Sequence, residues 1–178
     1  MTWRVVVTGS ECTGKTTLAR ALAAQLGAPW VPEAARAYAE ARDGVLTAAD
    51  VEPIARATRE ALRAAAAAAP AVLVADTDLV STLVYARAYY GACPAWIEEA
   101  CRQDLAALYL LCAPDVPWVA DGVRDRPSDH DRRTMHDAFS STLRALGARV
   151  ALVTGTGPER TAHALAAVTA AAPTGSAP

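Results

Sequence analysis

The sequence predicts an α/β fold of three layers, in which a mostly parallel sheet of about five strands lies between helices. Three observations favour this prediction. Short apolar runs alternate along the chain with longer segments of helical pattern. The main runs are continuously apolar, which is typical of strands buried on both faces of a parallel sheet. A glycine-rich loop joins the first apolar run to the first helical segment.

The composition indicates a single folded domain. The chain has 178 residues, 53% of them hydrophobic and 20% charged, with a formal net charge of -2. We expect one domain over residues 1–172 and a flexible tail over residues 173–178. The net charge speaks against a nucleic-acid partner, no apolar stretch approaches the roughly 20 residues of a membrane span, and the start of the chain lacks the pattern of a secretory signal. The four cysteines lack metal-site spacing, so we expect reduced thiols in a cytoplasmic protein without membrane partner. The sequence predicts no oligomeric state.

The first half of the chain supplies three strands and three helices. Val5-Val6-Val7 forms the core of the first strand, and Gly27 ends the helix that follows it. Thr47, with Asp50 at the third position, is a helix N-cap, and Pro70 ends the alanine-rich helix that it opens. The predicted strands cover residues 3–8, 30–32 and 71–75, and the predicted helices 16–26, 34–42 and 47–69.

The second half continues the alternation. Pro94 starts a helix, a buried run ends at Cys112, and Gly147 ends the next helix. Residues 114–130 are rich in Pro, Asp and Arg, so no regular structure is expected there. The predicted helices cover residues 79–90, 94–102, 131–146 and 159–171, and the predicted strands 105–112 and 149–154.

The glycine-rich loop is the most specific functional signal. Residues 9–16 match G-x-x-x-x-G-K-[ST], the phosphate-binding loop. Lys15 is the only lysine of the chain, while the other 16 basic side chains are arginine. The loop amides form an anion nest, Lys15 reaches the β- and γ-phosphates, and Thr16 supplies a hydroxyl to Mg²⁺. The competing interpretation is a glycine turn that binds nothing. The predicted nucleotide-binding residues are Gly9, Ser10, Glu11, Cys12, Thr13, Gly14, Lys15, Thr16 and Thr17.

Acidic residues follow two other strands, and in open sheets the ligand lies at the carboxyl ends of the strands. Asp76 is a candidate partner of Mg²⁺, and Asp78 is able to share that role; the alternative is that either residue caps the next helix. Glu33 is a candidate acceptor of the proton of an attacking hydroxyl, and Arg36 a candidate for neutralising phosphate charge. The alternative for this pair is a surface ion pair.

A polar segment after the fourth strand has the composition of a lid, over about residues 117–133. It holds Arg124, Arg126, Arg132 and Arg133, and arginines that close over a phosphoryl group stabilise its transfer. The alternative is a solvated loop with internal ion pairs. Aromatic residues are scarce, at 6%, so those near the predicted site are candidates for stacking on a ring, with core packing as the alternative.

Taken together, the motifs resemble the nicotinamide-riboside kinase domain at the C-terminus of bifunctional NadR-type proteins, over roughly residues 3–155. The matching segments are Gly9-x-Glu11-x-x-Gly14-Lys15-Thr16, Glu33-x-x-Arg36, Asp76-Thr77-Asp78 with Thr82, and Leu108 to Leu111 followed by Pro114-Asp115-Val116-Pro117-Trp118-x-x-Asp121-Gly122-x-Arg124.

The resemblance implies the fold of P-loop nucleoside kinases. It implies transfer of the γ-phosphoryl group of ATP, with Mg²⁺, to the 5′-hydroxyl of nicotinamide riboside, a step of NAD salvage that yields nicotinamide mononucleotide and ADP. Trp118 is then expected at the pyridinium ring. The implied catalytic residues are Lys15, Asp76, Glu33 and Arg124, with Arg126 at the nucleotide. The implied substrate-binding residues are Glu33, Arg36, Asp76, Asp78, Tyr85, Asp115, Trp118 and Asp121, and the implied metal-binding residues are Thr16 and Asp76.

Three departures accompany the resemblance. The first strand begins at residue 3, so the adenylyltransferase domain of bifunctional members is not expected here. Cys12-Thr13 stands where relatives carry Ser-Ser. Ala34 stands where they carry an aromatic residue, and its smaller side chain is expected to widen the pocket. Two other functions stay open, namely a kinase of another nucleoside or nucleotide and an ATP-binding regulatory module without phosphoryl transfer.

Overall fold

The computed structural model of the chain describes residues 2–42, 44–116 and 128–172. Within them, five strands form one parallel sheet in the order β2-β3-β1-β4-β5. The strands are β1 (Trp3–Thr8), β2 (Trp30–Val31), β3 (Val72–Asp76), β4 (Leu108–Cys112) and β5 (Val150–Val153). The helices are α1 (Lys15–Gln25), α2 (Ala34–Glu40), α3 (Val51–Ala67), α4 (Leu79–Tyr90), α5 (Ala95–Gln103), α6 (Asp129–Ala145) and α7 (Gly157–Ala171).

Alternate residues of the central strands face two separate hydrophobic clusters, which makes the fold three-layered. Val5 and Val7 face one cluster, where they meet the apolar sides of α1 and α7. Val6 and Tyr109 face the other cluster, which α3, α4, α5 and α6 cover. Because both faces are buried, the strands have to be apolar at every position, and this is the continuous pattern seen in the sequence. The predicted α/β fold is confirmed.

The parallel register brings the carboxyl ends of the central strands together. Val7 lies beside Asp76 on one side of β1, and Thr8 lies beside Leu111 on the other. The chain then leaves β3 through Thr77, whose backbone N–H donates to the carbonyl oxygen of Val7 at 3.0 Å. The residues that follow β1, β3 and β4 are therefore neighbours at one edge of the sheet.

Most predicted elements are present, with shifts at their ends. The capping box of Thr47 and Asp50 is confirmed, although the residues that it caps, Ala48–Asp50, form a 3₁₀ turn ahead of α3. The expected start of α6 at residue 131 is wrong, since Ser128 caps this helix and accepts a hydrogen bond from the backbone of Asp131 at 3.0 Å. The last six residues of the predicted lid, 128–133, are thus already capping or helical. No helix in the described ranges is long and apolar enough to cross a membrane.

Candidate active site

The loop from Gly9 to Gly14 needs glycine at both ends. Gly9 has φ of 135°, and a Cβ there would lie 2.9 Å from the carbonyl oxygen of Cys112 on the neighbouring strand. Gly14 has φ of 74° and caps α1 from a left-handed conformation. Both angles favour glycine, because a side chain would be strained there. The loop therefore wraps closely over the end of the sheet and delivers the N-terminus of α1, which favours anions.

Lys15 is held within this loop. The residue is only 5% exposed, and its Nζ donates to the carbonyl oxygen of Ser10 at 2.9 Å. The hydroxyl of Thr13 donates to the same carbonyl oxygen at 2.8 Å. The single ammonium of the chain thus lies against the loop backbone, next to the open N-terminus of α1.

Thr16 and Asp76 are joined directly, although 60 residues separate them in the sequence. The hydroxyl of Thr16 donates to Oδ2 of Asp76 at 2.5 Å. Asp76 is 1% exposed, and its second oxygen, Oδ1, is buried without a hydrogen-bond partner among the described residues. Burying a carboxylate oxygen without a partner costs free energy, unless a ligand donates a hydrogen bond to it or an ion coordinates it. Hydroxyl and carboxylate oxygens are the ligand types that Mg²⁺ takes, so the pair fits such an ion.

A cleft of about 570 Å³ opens beside the loop, on the side of β2 and β3. Its walls come from the loop, α2, the segment before α3, and α4. It brings together five of the predicted site residues, which carry two acids, two bases and a phenol ring. They are Glu11, Lys15, Glu33, Arg36 and Tyr85.

Glu33 and Arg36 reach the cleft because α2 begins at its edge. Glu33 follows β2 and occupies the N-cap position of α2, but its side chain makes no capping hydrogen bond. Arg36 lies one helical turn later and lines the same cleft. Both side chains are half-buried, so they line the cleft while remaining in contact with solvent.

Two tyrosines of α4 tie this helix to the phosphate loop. Tyr85 donates to the carbonyl oxygen of Gly9 at 3.4 Å, and Tyr89 donates to Oε1 of Glu11 at 2.9 Å. The two rings stack with centroids 6.0 Å apart. The hydrogen bond of Tyr89 with Glu11 was not predicted from the sequence. The spacing of four residues between Tyr85 and Tyr89, which places both on one face of a helix, was the available signal.

Asp78 is not brought to the cleft. Its carboxylate caps α4 by accepting from the N–H of Val80 at 3.0 Å, and it accepts from the hydroxyl of Tyr109 at 2.7 Å. It lines a separate, smaller pocket that also contains Arg4 and Asp104. Burial raises the pKa of Asp78 above its ordinary value, and the hydrogen bond from Tyr109 opposes this rise only in part. The expectation that Asp78 contacts the substrate therefore has no geometric support, whereas the capping alternative describes its position.

Asp115 also lies away from the cleft, on the opposite side of the sheet edge. Arg160 donates to its Oδ1 at 2.6 Å, and the N–H of Gly155 donates to its Oδ2 at 2.8 Å. Partial burial would raise the pKa of Asp115, but these donors outweigh burial and hold it below its usual range. Arg160 is 4% exposed and also donates to the carbonyl oxygen of Ala113 at 2.9 Å. This residue, which the sequence analysis did not single out, fixes the turns after β4 and β5 to each other.

The remaining predicted residues fall into three groups. Thr17 lies on the first turn of α1, and its side chain is exposed. Arg132, assigned to the lid, is 3% exposed and donates to the carbonyl oxygen of Val116 at 2.7 Å. It anchors the segment and is not one of the mobile arginines that the sequence analysis expected. Trp118, Asp121, Arg124 and Arg126 lie outside the described residues.

Comparisons with known proteins show which family the chain belongs to. Residues 4–160 match the AAA_28 family model, described as an AAA domain. The chain is 28% identical over 144 residues to the trifunctional NAD biosynthesis/regulator protein NadR of Salmonella typhimurium, covering 79% of this chain and 35% of that protein. It thus spans about a third of the curated relative that it matches.

Solved structures give the same relationship. A NadR protein in complex with NR superposes with a TM-score of 0.77 at 27% identity, covering 95% of this chain and 51% of the other. A NadR protein with NAD and AMP-PNP gives 0.76 at 26% identity, covering 95% and 49%. Thymidylate kinase from Ehrlichia chaffeensis, at 13% identity and a TM-score of 0.67 over 95% and 98%, shares the fold. The chain belongs to the AAA_28 family and is similar, in sequence and fold, to the P-loop kinase domains of NadR-type proteins.

Proposed function

We propose that the chain transfers the γ-phosphoryl group of ATP to the 5′-hydroxyl of nicotinamide riboside and so makes nicotinamide mononucleotide and ADP. The observation that carries the proposal is the position of the cleft. It opens directly beside Lys15 and is lined by Glu33 and Arg36. A phosphate-binding loop next to a cleft lined by carboxylate, basic and aromatic side chains is the arrangement that two substrates of a phosphoryl transfer need. The complex of a NadR protein with NR supports the choice of acceptor.

The phosphates of ATP are assigned to the loop. Its amides and the N-terminus of α1 would surround the β- and γ-phosphates, in the manner of an anion nest. Lys15 would exchange its contact with the carbonyl oxygen of Ser10 for phosphate oxygens. The NadR complex with AMP-PNP supports ATP as the donor.

Thr16 and Asp76 are assigned to Mg²⁺. The unpartnered Oδ1 of Asp76 and the hydroxyl of Thr16 are the oxygens that would hold the ion. When bound, the ion neutralises charge on the transferring phosphoryl group. Among the described residues, no group of three or more His, Cys, Asp or Glu side chains is placed to hold a metal. A site with one carboxylate and substrate phosphates is the usual form for Mg²⁺.

Glu33 is assigned the role of the general base, with Arg36 near the phosphates. The 5′-oxygen forms a bond to the γ-phosphorus while the bond from that phosphorus to the β-phosphate oxygen breaks, and the hydroxyl proton passes to the carboxylate of Glu33. Asp76 is the alternative base, but its Oδ2 already accepts a hydrogen bond from Thr16. The two carboxylates of the cleft, Glu11 and Glu33, also suit a cationic nucleoside.

The residues between 117 and 127 enter only through the family resemblance. We assign Trp118 and Asp121 to the nucleoside, and Arg124 and Arg126 to the phosphates, on a lid that ends before the anchored Arg132. One domain over residues 1–172 with a short tail completes the proposed organisation.

Phosphoryl-transfer assays with ATP test the proposal. Purified protein is given nicotinamide riboside, thymidine or deoxynucleosides, and nucleoside monophosphates are identified by mass spectrometry. Nicotinamide mononucleotide is the expected product, with the highest kcat/KM for nicotinamide riboside. Phosphorylation of another nucleoside without any nicotinamide mononucleotide would overturn the assigned substrate. ATP binding without transfer to any acceptor would indicate a regulatory module instead.

A further inference from the structure

Among the described residues, only one of the two carboxylate oxygens of Glu11 has a hydrogen-bond donor. Glu11 belongs to the phosphate loop, is 9% exposed and lines the cleft. Its Oε1 accepts a hydrogen bond from the hydroxyl of Tyr89 at 2.9 Å. Its Oε2 is buried without a hydrogen-bond partner in the described part of the chain. A buried carboxylate oxygen of this kind calls for a donor, and the cleft is the place from which a ligand can supply one.

Tyr89 fixes the direction in which this carboxylate points. The ring of Tyr89 stacks on Tyr85, which itself donates to the carbonyl oxygen of Gly9. The last turns of α4 are therefore tied to the loop at two points. With Oε1 occupied by Tyr89, the free oxygen of Glu11 is left for the cleft.

The position of Glu11 decides which part of the acceptor it meets. In the proposed reaction the 5′-oxygen lies next to the γ-phosphate, which Lys15 contacts four residues further along the same loop. The sugar is attached directly to that oxygen, whereas the base lies one ring further away. A carboxylate on the loop therefore meets the sugar, whose secondary hydroxyls are O–H donors suited to a short, charge-assisted hydrogen bond.

We propose that Glu11 accepts a hydrogen bond from a secondary hydroxyl of the acceptor's ribose, and that it thereby selects ribosides over deoxyribosides. Tyr89 acts as the positioning residue for Glu11. This inference rests on the proposed function, because it assumes that the cleft holds the nucleoside that is phosphorylated.

The test compares sugars and variants together. The kcat/KM is measured for nicotinamide riboside and for its 2′-deoxy and 3′-deoxy forms, with wild type, Glu11→Gln, Glu11→Ala and Tyr89→Phe. Glu60→Gln, on the exposed side of α3, is the matched control. Wild type is expected to prefer the riboside over at least one deoxy form by about 10- to 100-fold. Both Glu11 variants are expected to lose most of this preference, because they lose activity only on the sugars that carry the contacted hydroxyl, and Tyr89→Phe is expected to lose part of it.

Binding of a fluorescent ATP analogue separates this role from damage to the loop. Its affinity is expected to be unchanged in the Glu11 variants, because the backbone amides of the loop, and not the side chain of Glu11 in the cleft, are assigned to the phosphates. Full preference for the riboside in both Glu11 variants, or an equal loss on all three sugars, would overturn the inference. If wild type phosphorylates another riboside instead, the assigned substrate fails, and the same comparison with that riboside and its deoxy forms still tests Glu11. A wild type that prefers deoxyribosides also overturns the inference.

Discussion

Asp76 and Asp78 stand two residues apart at the end of the same strand, and both are buried, at 1% and 4% exposure. The folded protein satisfies both oxygens of Asp78, through Val80 and Tyr109. It satisfies only one oxygen of Asp76, through Thr16, and leaves the other buried without a partner among the described residues. Acids at strand ends are therefore not equivalent, and those with an unsatisfied oxygen are the better candidates for ligand binding.

The largest contrast is expected between two isosteric variants. Asp76→Asn removes the charge assigned to the metal and should lower kcat by at least about 100-fold. Asp78→Asn retains an N-cap residue whose amide oxygen accepts from Val80 and whose amide NH2 can donate to the hydroxyl of Tyr109, so it should leave kcat nearly unchanged. Steady-state kinetics with ATP and nicotinamide riboside measure both, and circular dichroism checks that each variant folds. An equal loss of kcat in the two variants would contradict the different roles assigned to Asp76 and Asp78.

The comparison of satisfied and unsatisfied acids extends to Glu33. It occupies the N-cap position of α2, but its side chain makes no capping hydrogen bond. Glu33→Gln should lower kcat by about 100- to 10,000-fold if this carboxylate takes the hydroxyl proton. Glu40→Gln, at the exposed far end of the same helix, is the matched control. A full rate with Glu33→Gln would remove the residue from the chemistry and leave Asp76 as the base.

Asp115 lies on the opposite side of the sheet edge from the cleft, and both of its carboxylate oxygens accept hydrogen bonds within the protein. Its substitution should therefore affect stability more than catalysis. Asp115→Asn leaves the buried guanidinium of Arg160 without its charged partner. The free energy of unfolding should fall by about 1–3 kcal/mol, measured by urea denaturation. Asp104→Asn, which breaks the ion pair of Arg4 with a carboxylate that is 69% exposed, should cost no more than about 1 kcal/mol. A smaller loss for Asp115→Asn than for Asp104→Asn would contradict this account.

The smallest expected effect is a pH dependence from Asp78. Its pKa in the folded protein is raised above the ordinary value of 3.8, so the folded state binds this proton more tightly than the unfolded state. Its contribution therefore favours folding below that value and is lost as the pH rises through the raised pKa. Asp78→Asn removes this pH-dependent contribution. The free energy of unfolding of the variant, relative to that of wild type, should therefore rise as the pH is raised from the acid range to neutral. Urea denaturation across that range measures the difference. A difference in the free energy of unfolding that stays constant with pH would show that Asp78 does not titrate as described.

Sequence patterns predicted the parts of the molecule that depend on neighbours along the chain. Continuous apolar runs marked the buried strands, the Thr47 capping box marked the 3₁₀ turn that leads into α3, and the glycine spacing marked the phosphate loop. Because parallel strands end at one edge, the same reasoning placed Glu33 and Asp76 near Lys15.

The contacts that sort these residues by role are long-range, and no local pattern encodes them. Asp78 is satisfied by Tyr109, which lies 31 residues away, and Glu11 is oriented by Tyr89, 78 residues away. Arg160 reaches Asp115 across 45 residues. Sequence reasoning therefore assigned Asp78 and Asp115 to the substrate, since it had no means of seeing that other side chains already occupied their oxygens.

The central claim is that the loop around Lys15 holds the triphosphate while the adjacent cleft holds the nucleoside. Lys15→Met tests it most directly, with the affinity for AMP-PNP measured by calorimetry and the formation of nicotinamide mononucleotide measured in the same preparations. The account expects weaker nucleotide binding and a loss of product formation by orders of magnitude, in a protein that remains folded. Unchanged affinity and unchanged product formation in Lys15→Met would contradict it.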